Sequence, residues 1–321
     1  MEEKFKFLGQ LPKEMGIETV PDLPTPDLIR LSMISKGHRT FFRLLLEQRQ
    51  LLQKFIHHVA RGEHEAVKAM LEKDIHLLVK RDIVTDYSGR TFESISGFEY
   101  ALWALDKHMW TMMLDCLPKN EKGQQVLVQL LAQYNKVDSD GVTYRLKENK
   151  ITEQHFDFEK TLIKALQTQV DSINALGAKN WDAIDKQWRE GVGGAQKLLP
   201  MHVVDEYCSN EPFYPVPTFT SPPKSSRQFY NWITKKNEFL FRTDSELSVD
   251  FAIYKGWRPE ASGACGYVMK IGFVALTAVN DLAAMKALAK VRTNDFVELK
   301  SYLENQMTLD NQHQVAQIQP I

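Results

Sequence analysis

Residues 51–118 limit the folds open to this chain more than any other stretch, because they read as two helix pairs joined by a turn-rich segment. The first pair is LLQKFIHHVARG followed by EHEAVKAMLEKD, and the second is SGFEYALWALDKH followed by MWTMMLDCL. Apolar residues recur every three or four positions, so each helix has one face to bury. Helices this short bury that face only against neighbours. TDYSGRTF lies between the pairs, and Gly62 breaks the first pair at its middle.

Two motifs give this pattern a resemblance. Asp86-x-x-Gly89-Arg90-Thr91, and Ala60-Arg61-Gly62 running into Glu65-Ala66-Val67-Lys68-Ala69-Met70-Leu71, resemble the ankyrin repeat. The resemblance implies stacked helical hairpins with a binding face. It predicts that Gly89-Arg90-Thr91 turns into a helix over 96–108. Ala60 and Ala104 lie further apart than the ~33 residues of a standard repeat. The excess falls in IHLLVKRDIVTDYSGRTF and reads as a loop lengthened by roughly ten residues.

The wider composition removes several function classes. A net charge of −1 leaves no global field favouring nucleic acid or an anionic membrane. The N-terminus MEEKFKFLGQLPKEMG lacks a signal-peptide core, and the apolar stretch around IGFVALTAV is too short to span a bilayer. Three cysteines, Cys116, Cys208 and Cys265, show no metal or redox spacing. These features predict a soluble protein with no cofactor motif.

Along the chain, residues 1–24 read as an extended lead-in. Thr25-Pro26-Asp27 opens a helix that Gly37 stops, and a long helix runs from 40 to 60. Asn120 caps a helix that ends at 138–141, and these elements make a helical domain over 25–150. A second helical domain spans 151–305. Helices are predicted over 158–176, from Trp181 to the glycines Gly191, Gly193 and Gly194, and over QKLLPMHVVDEYC, started or kinked by Pro200. Five prolines between 211 and 224, interleaved with Phe213, Tyr214 and Phe219, exclude regular helix and read as an ordered strap. Phe239 and Phe241, then Leu247, Val249, Phe251 and Ile253, alternate about a turn at 243–245 and predict a β-hairpin. The pattern then returns to a helix pair, with Asn294 capping the second member, before a flexible tail over 306–321. The expected class is mostly α, stacked helical hairpins with a Pro-rich segment and a small β-hairpin.

The chemistry is sparse. On a helix, His202 shares a face with Glu206 and lies three from Asp205, a spacing able to hold a metal or orient an imidazole. The H-E-x-x-H motif is absent, and a structural His beside a carboxylate, with Cys208 packed as a small apolar residue, outweighs a site. Cys265, in the small-residue run 261–266, is a weak nucleophile candidate against use in a tight turn. Gly191-Val192-Gly193-Gly194 lacks the Lys-Ser/Thr of a phosphate loop. His57, His58 and His64 cluster at one turn. Tyr87 and Arg90 in the long loop, with Trp110, are the expected partner-binding residues.

SGRTFESISGFEYALWALDKHMWTMML and VGGAQKLLPMHVVDEYC look like segments of type IV-secreted (Dot/Icm-like) effectors of Legionella-like intracellular bacteria. The resemblance implies delivery into a host cell and action in its cytosol on a host protein or another effector. It carries over no catalytic residue. The leading expectation is a protein-binding effector. The alternative is an enzyme that modifies a host target with Cys208 or Cys265 and His202.

Overall fold

A computed structural model describes residues 23, 25–241, 245–255, 264–267 and 273–317, and beyond 255 it describes side chains for 277–307 alone. Helix α1 (Thr25–Ser32) starts at the expected Thr-Pro-Asp. Gly37 does not stop it. Ser35 accepts the His38 amide and caps α2 (Lys36–Ala60), so Gly37 sits in the first turn of that helix. Gly62, at φ 64, turns the chain into α3 (His64–Leu71).

The stretch read as an enlarged loop is a β-hairpin, β1 (Arg81–Thr85) with β2 (Arg90–Ser96). Gly89, at φ 80, closes the turn, and the Asp86 carboxylate accepts the Arg90 amide. The D-x-x-G-R-T motif therefore opens a strand rather than a helix. The helix expected over 96–108 begins one strand later as α4 (Gly97–Ala104). Ser96 and Glu99 form a capping box at its start. It breaks at Leu105, φ 58, and Asp106 caps α5 (Lys107–Asp115).

α2 packs on α4 and α3 on α5, so the two helix pairs lie side by side. Among the described residues no third pair packs on these two. Instead α6 (Glu121–Asp140), capped by Asn120 as expected, leads into β3 (Val142–Leu146) and β4 (Asn149–Glu153). These strands complete a sheet of order β1-β2-β3-β4. Trp103 fills the space between sheet and helices, its ring 4.9 Å from Phe92, 5.5 Å from Tyr100 and Tyr144 and 6.3 Å from Phe156.

In the second half, a π-helical turn leads into α7 (Lys164–Asn174). α8 (Trp181–Lys186) continues through another such turn into α9 (Gly193–Gln196), so the glycines expected to end it lie within helical backbone. At Gly193 a Cβ would meet the Phe251 carbonyl oxygen at 2.9 Å, which accounts for glycine there. α10 (Met201–Tyr207) begins directly after Pro200. Residues 211–224 form neither helix nor strand, with Phe213 and Phe219 buried and Tyr214 exposed.

A second sheet joins β5 (Gln228–Asn231), β6 (Lys236–Phe239), β7 (Ala252–Lys255) and β8 (Ala264–Tyr267) in the order β6-β5-β8-β7. Of the turn expected at 243–245, 243 and 244 lie outside the described residues; the strands flanking it pair elsewhere, β7 with β8 and β6 with β5 in a hairpin. Asn231 Oδ1 accepts the Ile233 and Thr234 amides and fixes the turn there. The expected C-terminal helix pair is one helix, α11 (Phe273–Gln317), whose backbone runs into the segment expected as a flexible tail. Asn294 caps nothing: it is exposed, while Arg292 pairs with Asp295 across it.

One cluster of buried apolar side chains runs from Leu52 to Leu303, and the boundary expected at 150/151 falls inside β4. No helix among the described residues is long and apolar enough to cross a membrane.

Candidate functional site

Of the three expected partner-binding residues, only Tyr87 reaches the surface. It sits at the β1–β2 turn, 43% exposed, its ring stacked on Phe241 at 5.2 Å with the Arg61 guanidinium 5.0 Å from its centroid. Arg90 is 2% exposed. Its side chain faces inward, 3.4 Å from Asp86, donating to the Leu198 carbonyl at 2.7 Å and lying over the Trp103, Tyr144 and Phe156 rings. Strand alternation sends it there, because Phe92 points the same way. Trp110 is also closed off, on the core face of α5 with Met109, Met113 and Leu114. Neither residue is a surface anchor.

Next to the Tyr87 turn lies an open groove of about 560 Å³. Gln50, Gln53, Lys54 and His57, one face of α2, form one wall; Ile83, Val84 and Thr85 of β1 form the other. β1 is an edge strand, and its register slips between Asp82 and Val84. There Asp82 Oδ1 takes the Ile83 amide at 2.7 Å. Such a bulge blocks regular addition of another strand and leaves the Ile83 side chain half exposed.

A second, smaller cleft of about 180 Å³ gathers His64, Asp106, His108, His202, Asp205 and Arg227. Each comes from a different local device. His64 opens α3, Asp106 caps α5 through Met109, and α10 presents His202 and Asp205. Arg227 grips both Asp205 oxygens at 2.9 and 3.1 Å and donates to the Arg61 and Gly62 carbonyls at 2.8 Å. It thereby ties the segment after the prolines to the α2–α3 turn.

His202 is buried, and its Nε2 donates to the Ala104 carbonyl at 2.7 Å. Burial first, then Arg292, pushes its pKa well below the ordinary histidine value. His108 Nε2 faces an Arg292 nitrogen at 3.0 Å, and since arginine only donates, that nitrogen accepts. Burial, then Arg292, lowers its pKa to about 4. Glu206, the carboxylate expected beside His202, instead lies 3.5 Å from Arg292. Among the described residues no three His, Cys, Asp or Glu side chains converge as metal ligands.

Cys208 is buried, and burial pushes its thiol up to about 12, opposite to what a nucleophile needs. Cys265 lies on β8 rather than in the expected turn; its side chain is outside the described set.

The sequence reading missed Arg292 and Lys255, both buried. Arg292 donates to the Phe219 carbonyl and pairs with Asp295, both at 3.0 Å. Lys255 Nζ donates to the Glu206 carbonyl and to Ser209 Oγ, and lies 4.6 Å from the Phe213 ring centroid. The available signal was Arg292 occupying an apolar stripe, with Met285, Leu288, Phe296, Leu299 and Leu303 at helical spacing around it.

Burial outweighs the attraction of Arg292 and Lys255 at Glu206 and lifts its pKa to about 7. The folded state therefore holds this proton where the unfolded chain releases it. The resulting stability is present below the unfolded value and is lost as pH rises through about 7. Between pH 5 and 8 the wild type is expected to lose up to about 3 kcal/mol that Glu206→Gln retains. Urea unfolding of both proteins at the two pH values checks this. Equal losses would place the titrating group elsewhere.

The family described as CBUA0006 C-terminal domain matches residues 161–303. A Coxiella burnetii (strain RSA 493 / Nine Mile phase I) protein, "Uncharacterized protein CBUA0006", is 36% identical over 274 residues, covering 80% of this chain and 76% of its own. No solved structure matches the chain.

Proposed function

The chain belongs to the family of the Coxiella burnetii protein CBUA0006, and from that premise we propose that it is a secreted effector that works by binding a host protein or another effector through the groove between α2 and β1. The observation that carries the reading is the groove itself: open, polar along its helical wall and bordered by the half-exposed Ile83 and Tyr87. The side-by-side α2–α3 and α4–α5 pairs supply the rigid backing that ankyrin-like binding faces use. The bulge at Ile83 disfavours strand addition, so the partner docks through side chains, with Ile83 and the Tyr87–Phe241 stack as apolar anchors. An enzyme built on Cys208 has less support, since that thiol is sealed from substrate and held protonated.

Affinity capture from host lysate tests the proposal when wild type is compared with Ile83→Asp combined with Tyr87→Ala. Both side chains are half exposed, so circular dichroism and melting should stay near wild type. Loss of two anchors is expected to weaken a captured partner about thirtyfold or more, equivalent to roughly 2 kcal/mol. An unchanged partner set at unchanged affinity would remove the groove from consideration.

A further inference from the structure

We propose that the cleft between α3, α5, α10 and residues 222–227 binds a primary ammonium group. The hydrogen-bond inventory carries the assignment. His202, 5% exposed, spends its Nε2 hydrogen on the Ala104 carbonyl, so its Nδ1 carries a lone pair, and that atom has no partner among the described residues. His64 pairs Nδ1 with the Gly62 carbonyl at 3.1 Å, and its buried Nε2 is likewise unpartnered. Asp106 takes the Met109 amide on Oδ1 and forms no ion pair among the described residues. These three acceptors belong to residues that line one small space.

Arg227, the charged donor that lines the cleft, is already committed. Arg227 uses its guanidinium on Asp205 and on the Arg61 and Gly62 carbonyls. The Ser225 hydroxyl also lies against Asp205, whose pKa burial raises against the opposing pull of Arg227 and Ser225. Arg227 matches Asp205, which leaves Asp106 as the carboxylate of the cleft that forms no ion pair among the described residues. A group with three N–H bonds and one positive charge satisfies two imidazole lone pairs and a carboxylate at once. The volume, about 180 Å³, suits a small amine or the end of a lysine side chain.

The test titrates the full chain with ethylammonium chloride and, in parallel, tetramethylammonium chloride, which has the charge without N–H donors. Imidazole 15N resonances of His64 and His202 are followed by NMR, with calorimetry for affinity. Ethylammonium should shift both resonances saturably and tetramethylammonium should not. Asp106→Asn keeps an oxygen for the Met109 amide and should weaken ethylammonium at least tenfold at an unchanged melting temperature. A second arm compares acetyl-Gly-Lys-Gly-amide with its Nε-acetylated form. Binding of the unmodified peptide alone assigns a lysine side chain as the source, and binding of ethylammonium without either peptide assigns a free amine. No response to ethylammonium, an equal response to tetramethylammonium, or full affinity in a folded Asp106→Asn protein would each overturn the proposal.

Discussion

Replacing Arg90 with alanine is expected to lower the unfolding free energy by about 4 kcal/mol. The change leaves Asp86 buried without its partner, frees the Leu198 carbonyl and removes the stem packed over three rings. Removing one member of a buried pair costs more than removing both, because the survivor keeps its desolvation penalty. Arg90→Met combined with Asp86→Asn should therefore recover part of the loss, as asparagine retains an oxygen for the Arg90-position amide. Equilibrium unfolding in urea measures both variants. A loss below about 1 kcal/mol for Arg90→Ala would show that the guanidinium is not the pin between the first sheet and residue 198.

Arg292→Met should be comparably damaging, about 3–5 kcal/mol. Arg292 is fully buried on α11 and contacts Asp295, Glu206, His108 and the Phe219 carbonyl. Methionine fills much of the stem volume but none of the four polar contacts. The variant carries a second signature. Arg292 is one cause, after burial, of the low pKa of His108, so that pKa should rise from about 4 when the charge is removed. A folded variant with unchanged His108 titration would mean burial alone sets the value.

Helix starts were the most legible local signals, whereas single glycines such as Gly37 and Gly193 did not end helices. Thr25-Pro26 and Asn120 mark real helix starts, Pro200, open between a start and a kink, proves to be a start, and the helix after Ser96 forms with a capping box. The failures came where two signals competed. RTFESIS alternates as a strand does, but the ankyrin-like turn before it pointed to a helix. VTYRL and NKITE are short and polar on one face, so their strand character depends on pairing with each other and with β2. Asn294 looks like a cap, yet the apolar stripe of α11 continues past it. The cleft was harder still. His202 was visible as a candidate, whereas His64, Asp106 and His108 reach it from distant points of the chain. Only the α3–α5 and α10 packing brings them together.

α11 touches both halves of the chain: Tyr134 of α6 stacks on Phe296 at 4.8 Å and donates to its carbonyl, while α7 packs along the same helix. During synthesis, then, α6 waits with an open apolar face until residues near 303 leave the ribosome, an interval of roughly ten to thirty seconds at ordinary elongation rates. Through that interval the nascent chain exposes apolar surface of the kind that holding chaperones bind.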